Sequence, residues 1–189
     1  MTDPIELSAN AVTAVSILLA ARNSVHTWWT GIIGCVLLAI TFGRVALYAD
    51  VVLQGFFIIT CLIGWWQWLR GNAGAALPVS RVTRREMAVA LGVAALATVG
   101  YGALLERFTD AYAPFVDSAV LAFSVVAQIF LMKRRVESWP VWLLVNTIAV
   151  PLYASRGLQL TALLYAAYWC NAWFGWWRWH RLHSAQTSA

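Results

Sequence analysis

Long runs of apolar residues constrain the fold of this chain more than any other feature of its sequence. Val51–Trp66 and Met87–Leu105 contain no charged residue. A helix that crosses a bilayer needs about 20 mostly apolar residues, and lipid-facing backbone must satisfy its hydrogen bonds in helices or a closed barrel. With 61% hydrophobic and only 11% charged residues, the chain has too little charge to cover a soluble domain. The sequence predicts an all-α integral membrane protein.

Seven apolar runs of this kind are separated by short connectors, and they predict seven transmembrane helices. The connectors contain Gly, Asn, Ser and Arg, which commonly end helices or form turns. The three cysteines lie inside apolar runs without metal-ligand spacing, and no catalytic set is visible in the spans, so we expect no metal, no cofactor and no enzyme. The predicted helices are Ile5–Ala21, Trp28–Phe42, Leu47–Leu69, Met87–Leu105, Phe115–Met132, Trp139–Ala154 and Leu160–Trp177.

The distribution of charge predicts how these helices are oriented. Seven spans place the two termini on opposite sides of the membrane, and the side richer in Lys and Arg is normally cytoplasmic. Ten of the 13 basic residues fall on the first, third and fifth connectors and the C-terminal segment. We therefore expect a bacterial-type inner (cytoplasmic) membrane, with the N-terminus outside and the C-terminus in the cytoplasm. The net charge of +5 follows from this topology and does not indicate a nucleic-acid partner.

A tryptophan-rich motif occurs twice in the chain, as GWWQW at Gly64–Trp68 and as GWWRW at Gly175–Trp179. We call the spacing from Gly64 to Gly175 the repeat offset, and the same offset places Trp28 on Trp139. Agreement of the helix boundaries under this offset predicts three units, namely 1–69 with three helices, 70–110 with a loop and a linker helix, and 111–189 with three helices and a short tail. Four helices separate one unit start from the next, which gives a parallel 3+1+3 repeat of the SWEET type, with a substrate site where the two bundles meet.

Several segments resemble the PnuC-type vitamin transporters, which include nicotinamide riboside permeases. They are Leu47–Phe57 with the first tryptophan motif, Pro114–Ser118, Arg135–Asn146 and Tyr165–Trp176. The resemblance implies a homotrimer that moves an unphosphorylated vitamin precursor by facilitated diffusion, after which a separate cytoplasmic kinase traps the product for NAD biosynthesis.

The polar and aromatic residues within the spans supply candidates for substrate binding. From the residues alone, a buried amide either binds a ligand or joins two helices by a hydrogen bond, and both interpretations remain open. Aromatic rings can hold a pyridinium cation, and the lack of Lys or Arg at mid-membrane disfavours a phosphorylated substrate. The resemblance implies that the substrate-binding residues include Gln54, Phe57, Trp142, Asn146, Tyr168, Trp169 and Asn171.

Residues near the helix ends have a structural and a functional interpretation. Glu6 and Asp117 occupy matching positions, where they either complement helix dipoles or form an electronegative mouth that attracts cations, and Trp139 is a candidate gate. We expect Gln128 to be structural. Nine tryptophans fall near the cytoplasmic ends of helices and are predicted to anchor at the headgroup level, namely Trp28, Trp29, Trp65, Trp66, Trp68, Trp139, Trp176, Trp177 and Trp179.

Three functional hypotheses follow. The first is a passive permease for nicotinamide riboside, and a thiamine permease is the alternative of the same class because thiamine is also an aromatic cation. The third is a membrane scaffold or receptor that transports nothing. No acidic residue lies at mid-membrane to bind a coupling ion, so we expect uptake to be independent of proton and sodium gradients.

Overall fold

The computed structural model describes residues 4–44, 48–110 and 112–188, and these residues form seven helices joined by short connectors. Each predicted apolar run coincides with one helix, so the prediction of an all-helical chain with seven helices in this order is confirmed. The helices are α1 (Pro4–Ala21), α2 (His26–Arg44), α3 (Tyr48–Arg70), α4 (Arg84–Phe108), α5 (Pro114–Met132), α6 (Ser138–Ser155) and α7 (Gln159–Thr187).

The helix ends follow local sequence chemistry. Thr83 caps α4, since its side chain accepts a hydrogen bond from the Glu86 backbone while the Glu86 carboxylate accepts one from the Thr83 backbone. Pro114 occupies the first turn of α5, where its missing N–H costs no helical hydrogen bond. α7 continues well beyond the apolar run that predicted it, because Arg178–Thr187 contains no Gly or Pro to end the helix.

Three of the helices are long and apolar enough, by length and composition, to cross a membrane within the described part of the chain. These are α2, α4 and α5, and Leu7–Ala21 of α1 is a shorter apolar segment. In α6 the apolar residues are interrupted by Trp, Tyr, Asn and Pro, and in α7 by Trp, Tyr, Asn and, near its end, Arg178 and Arg181, which lowers mean hydropathy. Such residues are typical of helices that face other helices rather than lipid alone.

Six of the helices close into a ring. α1, α2 and α3 pack in sequence, α5, α6 and α7 do the same, and the ring closes where α3 meets α5 and α7 meets α1. α4 lies outside the ring and packs against α5. The ring has the same order of contacts in its two halves, so α1 to α3 correspond to α5 to α7.

Four buried tryptophans join the two halves at one end of the ring, and we call Trp28, Trp68, Trp139 and Trp179 the tryptophan cluster. Trp28 meets Trp68 edge-on with ring centroids 5.1 Å apart, and Trp139 meets Trp179 in the same way at 5.4 Å. The Trp68 and Trp179 centroids are 5.5 Å apart. The repeat offset relates the Trp28–Trp68 contact to the Trp139–Trp179 contact.

Hydrogen bonds of this cluster cross between the halves. The indole N–H of Trp68 donates to the Leu131 carbonyl of α5, and that of Trp179 donates to the Ala20 carbonyl of α1, both at 3.2 Å. Leu131 and Ala20 are themselves separated by the repeat offset. The two bonds therefore hold each half of the ring to the other in the same manner.

Connectors that the charge pattern assigned to one side do lie at one end of the molecule, which we call the basic face. The Arg134 guanidinium donates to Asn23 Oδ1 at 3.0 Å and to the Leu77 carbonyl. His183 Nδ1 lies 3.1 Å from the Val79 carbonyl oxygen. These contacts bring together the first, third and fifth connectors and the end of α7.

Arg134 is the centre of this face. Its Cζ lies 4.6 Å from the Trp68 ring centroid, a cation–π distance. Burial lowers the pKa of Arg134 because the charged form loses hydration. Arg134 and Asn23 both have left-handed backbone, with φ of 55° and 57°, so the two turns match in conformation as well as in sequence position.

Candidate functional site

Two buried amides stand out because they lack partners. Gln54 on α3 is 7% exposed and Asn146 on α6 is 3% exposed, and neither side chain makes a hydrogen bond within the described part of the chain. A fully enclosed polar group left unsatisfied costs about 1–3 kcal/mol. In the described part of the chain that state belongs to Trp28 Nε1, Trp139 Nε1, Ser138 Oγ and Arg156 Nε. The amide atoms of Gln54 and Asn146 are not fully enclosed, so they are open to a polar ligand.

The other two intramembrane amides hold helices together. Asn171 Nδ2 donates to the Ile17 carbonyl at 3.1 Å, which joins α7 to α1. Gln128 Nε2 donates to Thr60 Oγ1 at 3.4 Å, which joins α5 to α3. The repeat offset carries Ile17 to Gln128 and Thr60 to Asn171. Asn171 was predicted to bind substrate and Gln128 to be structural. In the structure both make the same kind of helix-joining contact.

Trp142 shares a helix face with one of the two amides that make no hydrogen bond among the described residues. It precedes Asn146 by four residues, so the two side chains lie one above the other. Trp142 is half-buried and packs against both hydrophobic clusters of the interior. It therefore presents an indole face beside the Asn146 amide.

The remaining aromatic candidates occupy three different settings. Tyr168 is half-buried at the end of a stack in which Tyr153 and Tyr165 rings are 4.9 Å apart and Tyr165 and Tyr168 rings are 5.6 Å apart. Phe57 is half-buried and contacts the neighbouring Phe56 ring at 5.5 Å. Trp169 is more exposed, and its indole N–H donates to Thr147 Oγ1 at 3.1 Å on α6. Of the three, Trp169 is the one turned outward.

Two residues that were not predicted occupy the positions equivalent to the amides in the opposite halves of the ring. The repeat offset carries Gln54 to Tyr165 and Cys35 to Asn146. Tyr165 is the middle ring of the tyrosine stack, and Cys35 is half-buried on α2. The repeat itself was the signal that would have found them, since a site between two related halves is lined by matching positions of both.

Trp139, the predicted gate, belongs to the tryptophan cluster and is 2% exposed. The prediction that all nine tryptophans anchor at the headgroup level is wrong for the four cluster members, which are buried against one another. A Cβ at Gly64 would lie 2.6 Å from the Trp28 ring and one at Gly175 2.7 Å from the Trp139 ring, so these glycines make room for the indoles. By contrast Trp66 is 62% exposed, as an anchor should be.

The proposed cation mouth is partly neutralised. The Asp117 carboxylate accepts a hydrogen bond from the Arg156 guanidinium at 2.6 Å, and this bond raises the pKa of Arg156. Arg156 Cζ also lies 5.7 Å from the Tyr112 ring centroid. Asp117 therefore serves as an ion-pair partner at this end of the ring. The side chain of Glu6 lies outside the described residues.

A groove of about 470 Å³ lies between α4 and α5, away from the unpartnered amides. Small and aliphatic side chains dominate its lining, including Ala90, Ala94, Leu121 and Val125. A nearly uniformly apolar groove offers nothing to orient a polar vitamin precursor. We therefore place the candidate site at Gln54 and Asn146 rather than in this groove.

Apolar helices that carry buried amides without hydrogen-bond partners are typical of a multi-pass membrane protein that handles a polar small molecule. Comparison with known proteins agrees. A sequence model of the nicotinamide mononucleotide transporter family matches residues 3–181. The chain belongs to this family, whose known members include the PnuC-type transporters.

Individual relatives and one solved structure extend the comparison. The nicotinamide riboside transporter PnuC of Escherichia coli is 27% identical over 175 residues, covering 78% of this chain and 72% of the relative. The riboflavin/roseoflavin transporter RibM of Streptomyces davaonensis is 27% identical over 180 residues, covering 91% and 84%. A crystal structure of the vitamin B3 transporter PnuC has a TM-score of 0.69 at 22% identity, covering 92% of this chain and 81% of that chain. The structural likeness shows the fold, and the sequence relatives are transporters rather than enzymes.

Proposed function

We propose that the protein is a passive permease for an unphosphorylated vitamin precursor, with nicotinamide riboside as the first candidate. The observation that carries the proposal is the pair of buried amides without partners, Gln54 and Asn146, in a member of a vitamin-transporter family. Amide groups can both donate to and accept from hydroxyls and a carboxamide. They do so without a net charge, which suits a permease because moderate affinity allows the substrate to leave.

The architecture of this permease is a parallel 3+1+3 repeat of the SWEET type, with units 1–69, 70–110 and 111–189. Supporting it are the matching order of contacts around the ring and the hydrogen bonds of the tryptophan cluster, which recur at the repeat offset. In such a repeat the substrate site lies between the halves, and transport proceeds by rocking one half against the other around that site.

The binding site in this proposal combines the two amides with neighbouring aromatic side chains. Trp142 and Tyr168 hold the pyridinium ring by stacking and cation–π attraction, worth roughly 0.5–2 kcal/mol per ring. Phe57, Trp169 and Asn171 complete the proposed set at its edges, and Trp139 with Glu6 and Asp117 flanks the path at the two ends. Within the spans Lys and Arg occur only near helix ends, so a phosphate group would find no cation at mid-membrane.

Riboflavin is the second candidate substrate, because RibM matches a larger share of this chain than the Escherichia coli PnuC does. Riboflavin is a neutral tricyclic ring with a polyol chain. It would use the amides for the polyol and ring carbonyls, and it would need stacking area but no cation–π attraction. The two substrates therefore differ in what they require of the aromatic residues.

The proposed transport cycle is facilitated diffusion followed by trapping. No acidic residue lies in the middle of a span to bind a coupling ion, so a separate cytoplasmic kinase, which converts the product to an impermeant phosphate, supplies the direction of uptake. The permease is placed in the cytoplasmic membrane as a homotrimer with the basic face inside. The basic connectors that meet at one end of the molecule support this orientation.

Uptake into liposomes tests the proposal directly. Purified protein would be reconstituted, and entry of labelled nicotinamide riboside would be followed with excess unlabelled riboflavin or thiamine as competitor. We expect saturable entry that stops at equal concentrations, is insensitive to imposed proton or sodium gradients, and is lost with Asn146→Leu. Competition by riboflavin or thiamine would reassign the substrate. Absence of entry for all three compounds, from protein shown to be folded, would refute the permease.

A further inference from the structure

The end of α7 extends beyond the part of the molecule that a bilayer's hydrocarbon core can cover. α7 has 29 residues, which corresponds to a length of about 43 Å, whereas the hydrocarbon core is about 30 Å thick. The helix begins at the opposite end of the molecule and finishes at the basic face, where His183 contacts the Val79 carbonyl. Its segment from Trp173 to Arg181 therefore lies where acyl chains meet headgroups.

A concave surface on this segment combines indole rings with basic groups. Its volume is about 350 Å³, and its lining consists of Trp173, Trp176, Trp177, His180 and Arg181. The Trp173 and Trp176 ring centroids are 5.2 Å apart, and Arg181 Cζ lies 4.9 Å from the Trp177 ring centroid. The apolar rings face the membrane interior and the basic groups face its surface, so the concavity is amphipathic along the membrane normal.

The basic residues of this surface form no ion pair in the part of the chain that the structure describes. The chain contains no Asp or Glu after Glu137. Among the described residues neither Arg178 nor Arg181 forms an ion pair, whereas Arg156 at the opposite end is paired with Asp117. Two exposed arginines at the headgroup level are therefore free to bind an external anion.

We propose that this surface binds an anionic phospholipid, with the phosphate group at Arg181 and His180 and an acyl chain along Trp173 and Trp177. A free phosphate ion would use only the basic edge and leave the indole lining exposed. A two-fold dimer through this surface would bring the arginines of one copy against those of the other. An anionic phospholipid satisfies both the charge and the apolar lining.

Thermal unfolding in lipid nanodiscs tests this site without reference to transport. The unfolding temperature would be measured in phosphatidylcholine nanodiscs with increasing fractions of phosphatidylglycerol, for the wild type, Arg181→Gln and Arg107→Gln. We expect phosphatidylglycerol to raise the unfolding temperature of the wild type. Arg181→Gln should weaken the apparent affinity of the protein for phosphatidylglycerol about fivefold. Arg107→Gln is the matched control, because Arg107 is also exposed and its Cζ lies 6.0 Å from the neighbouring Phe108 ring, but at the opposite end of the molecule.

Trp177→Ala, which leaves the charge intact, provides a second variant and should weaken phosphatidylglycerol binding as well. Equal responses of Arg181→Gln and the wild type would overturn the proposal. So would equal losses in Arg181→Gln and Arg107→Gln, since that result means general attraction to a charged surface. Stabilisation by inorganic phosphate in neutral detergent, to the same extent as by phosphatidylglycerol, would show a site for a soluble anion instead.

Discussion

The two halves of the ring, α1 to α3 and α5 to α7, agree where they hold the molecule together and differ at Gln54 and Asn146, the two buried amides that make no hydrogen bond among the described residues. Trp68 and Trp179 are identical and make the same bond to the opposite half. Asn171 and Thr60 differ in type but occupy equivalent positions at equivalent helix contacts. The framework is therefore shared between the halves.

The candidate site departs from this agreement. The repeat offset places Tyr165 opposite Gln54 and Cys35 opposite Asn146, so each unpartnered amide corresponds to a different chemistry in the other half. A substrate without two-fold symmetry has to be bound by two unlike surfaces, even when the halves that carry them are related. Under the proposed function these two mismatched pairs contact the substrate, whereas the mismatched pairs Ile17–Gln128 and Thr60–Asn171 join helices.

The largest effect is expected where the halves agree most. Trp179→Ala removes a fully buried ring and its hydrogen bond to α1, and we expect a loss of roughly 3–5 kcal/mol in the free energy of unfolding. Trp68→Ala should cost a similar amount because its contacts are the repeat equivalents. Denaturant unfolding in detergent, followed by tryptophan fluorescence, measures both values.

Trp66→Ala is the control for these variants, since Trp66 is 62% exposed although it lies in the same motif. Its effect on unfolding should be small. If Trp68→Ala and Trp179→Ala differ by several kcal/mol, the two halves do not share the framework that their contacts suggest.

Much of this fold could be predicted because span length and hydropathy are properties of the sequence alone. The seven apolar runs correspond to the seven helices, and the largest difference is at the end of α7, since hydropathy falls at Arg178 while the backbone continues as helix to Thr187. The burial of Trp28 and Trp139 could not be predicted. Their burial requires Gly64 and Gly175 to lie against the two rings from a neighbouring helix. The sequence does not show which helices are neighbours or which faces meet.

The site was predicted less completely, for a physical reason. A helix that is apolar on all sides gives no periodic signal of which face points inward. Gln54, Asn146 and Asn171 were therefore equivalent candidates in sequence, and the structure separates them by their partners. Asn171 bonds to Ile17, while the other two have no partner among the described residues.

The second prediction concerns the mismatched pair. Asn146→Leu keeps the branching at Cγ but removes the amide, and we expect at least about a tenfold loss in substrate affinity, equivalent to one hydrogen bond. Stability should change little, because no hydrogen bond among the described residues is lost. Uptake into liposomes and unfolding in detergent measure the two quantities separately. A large loss of stability with unchanged affinity would show that Asn146 is structural.

The third prediction uses the helix-joining amides as a contrast. Gln128→Leu and Asn171→Leu each remove one interhelical hydrogen bond, typically worth about 0.6 kcal/mol in a membrane protein. We expect similar small losses of stability for both and little change in substrate affinity for Gln128→Leu. The same unfolding and uptake measurements apply. An affinity loss for Asn171→Leu that matches the loss for Asn146→Leu would show that Asn171 binds the substrate directly rather than lying at the edge of the site.

The smallest effect is expected at the end of the ring opposite the basic face. Asp117→Asn removes the ion pair with Arg156, in which both side chains are partly exposed at 31% and 25%. Partly exposed pairs contribute about 0.2–1 kcal/mol and are weakened by salt, so the loss should shrink as ionic strength rises. Unfolding at low and high salt measures it, with Arg156→Gln as the matched variant. A different outcome is that Asp117→Asn lowers the rate of nicotinamide riboside uptake but leaves entry of neutral riboflavin unchanged. In that case Asp117 acts on the charge of the substrate, and its function is transport rather than stability of the fold.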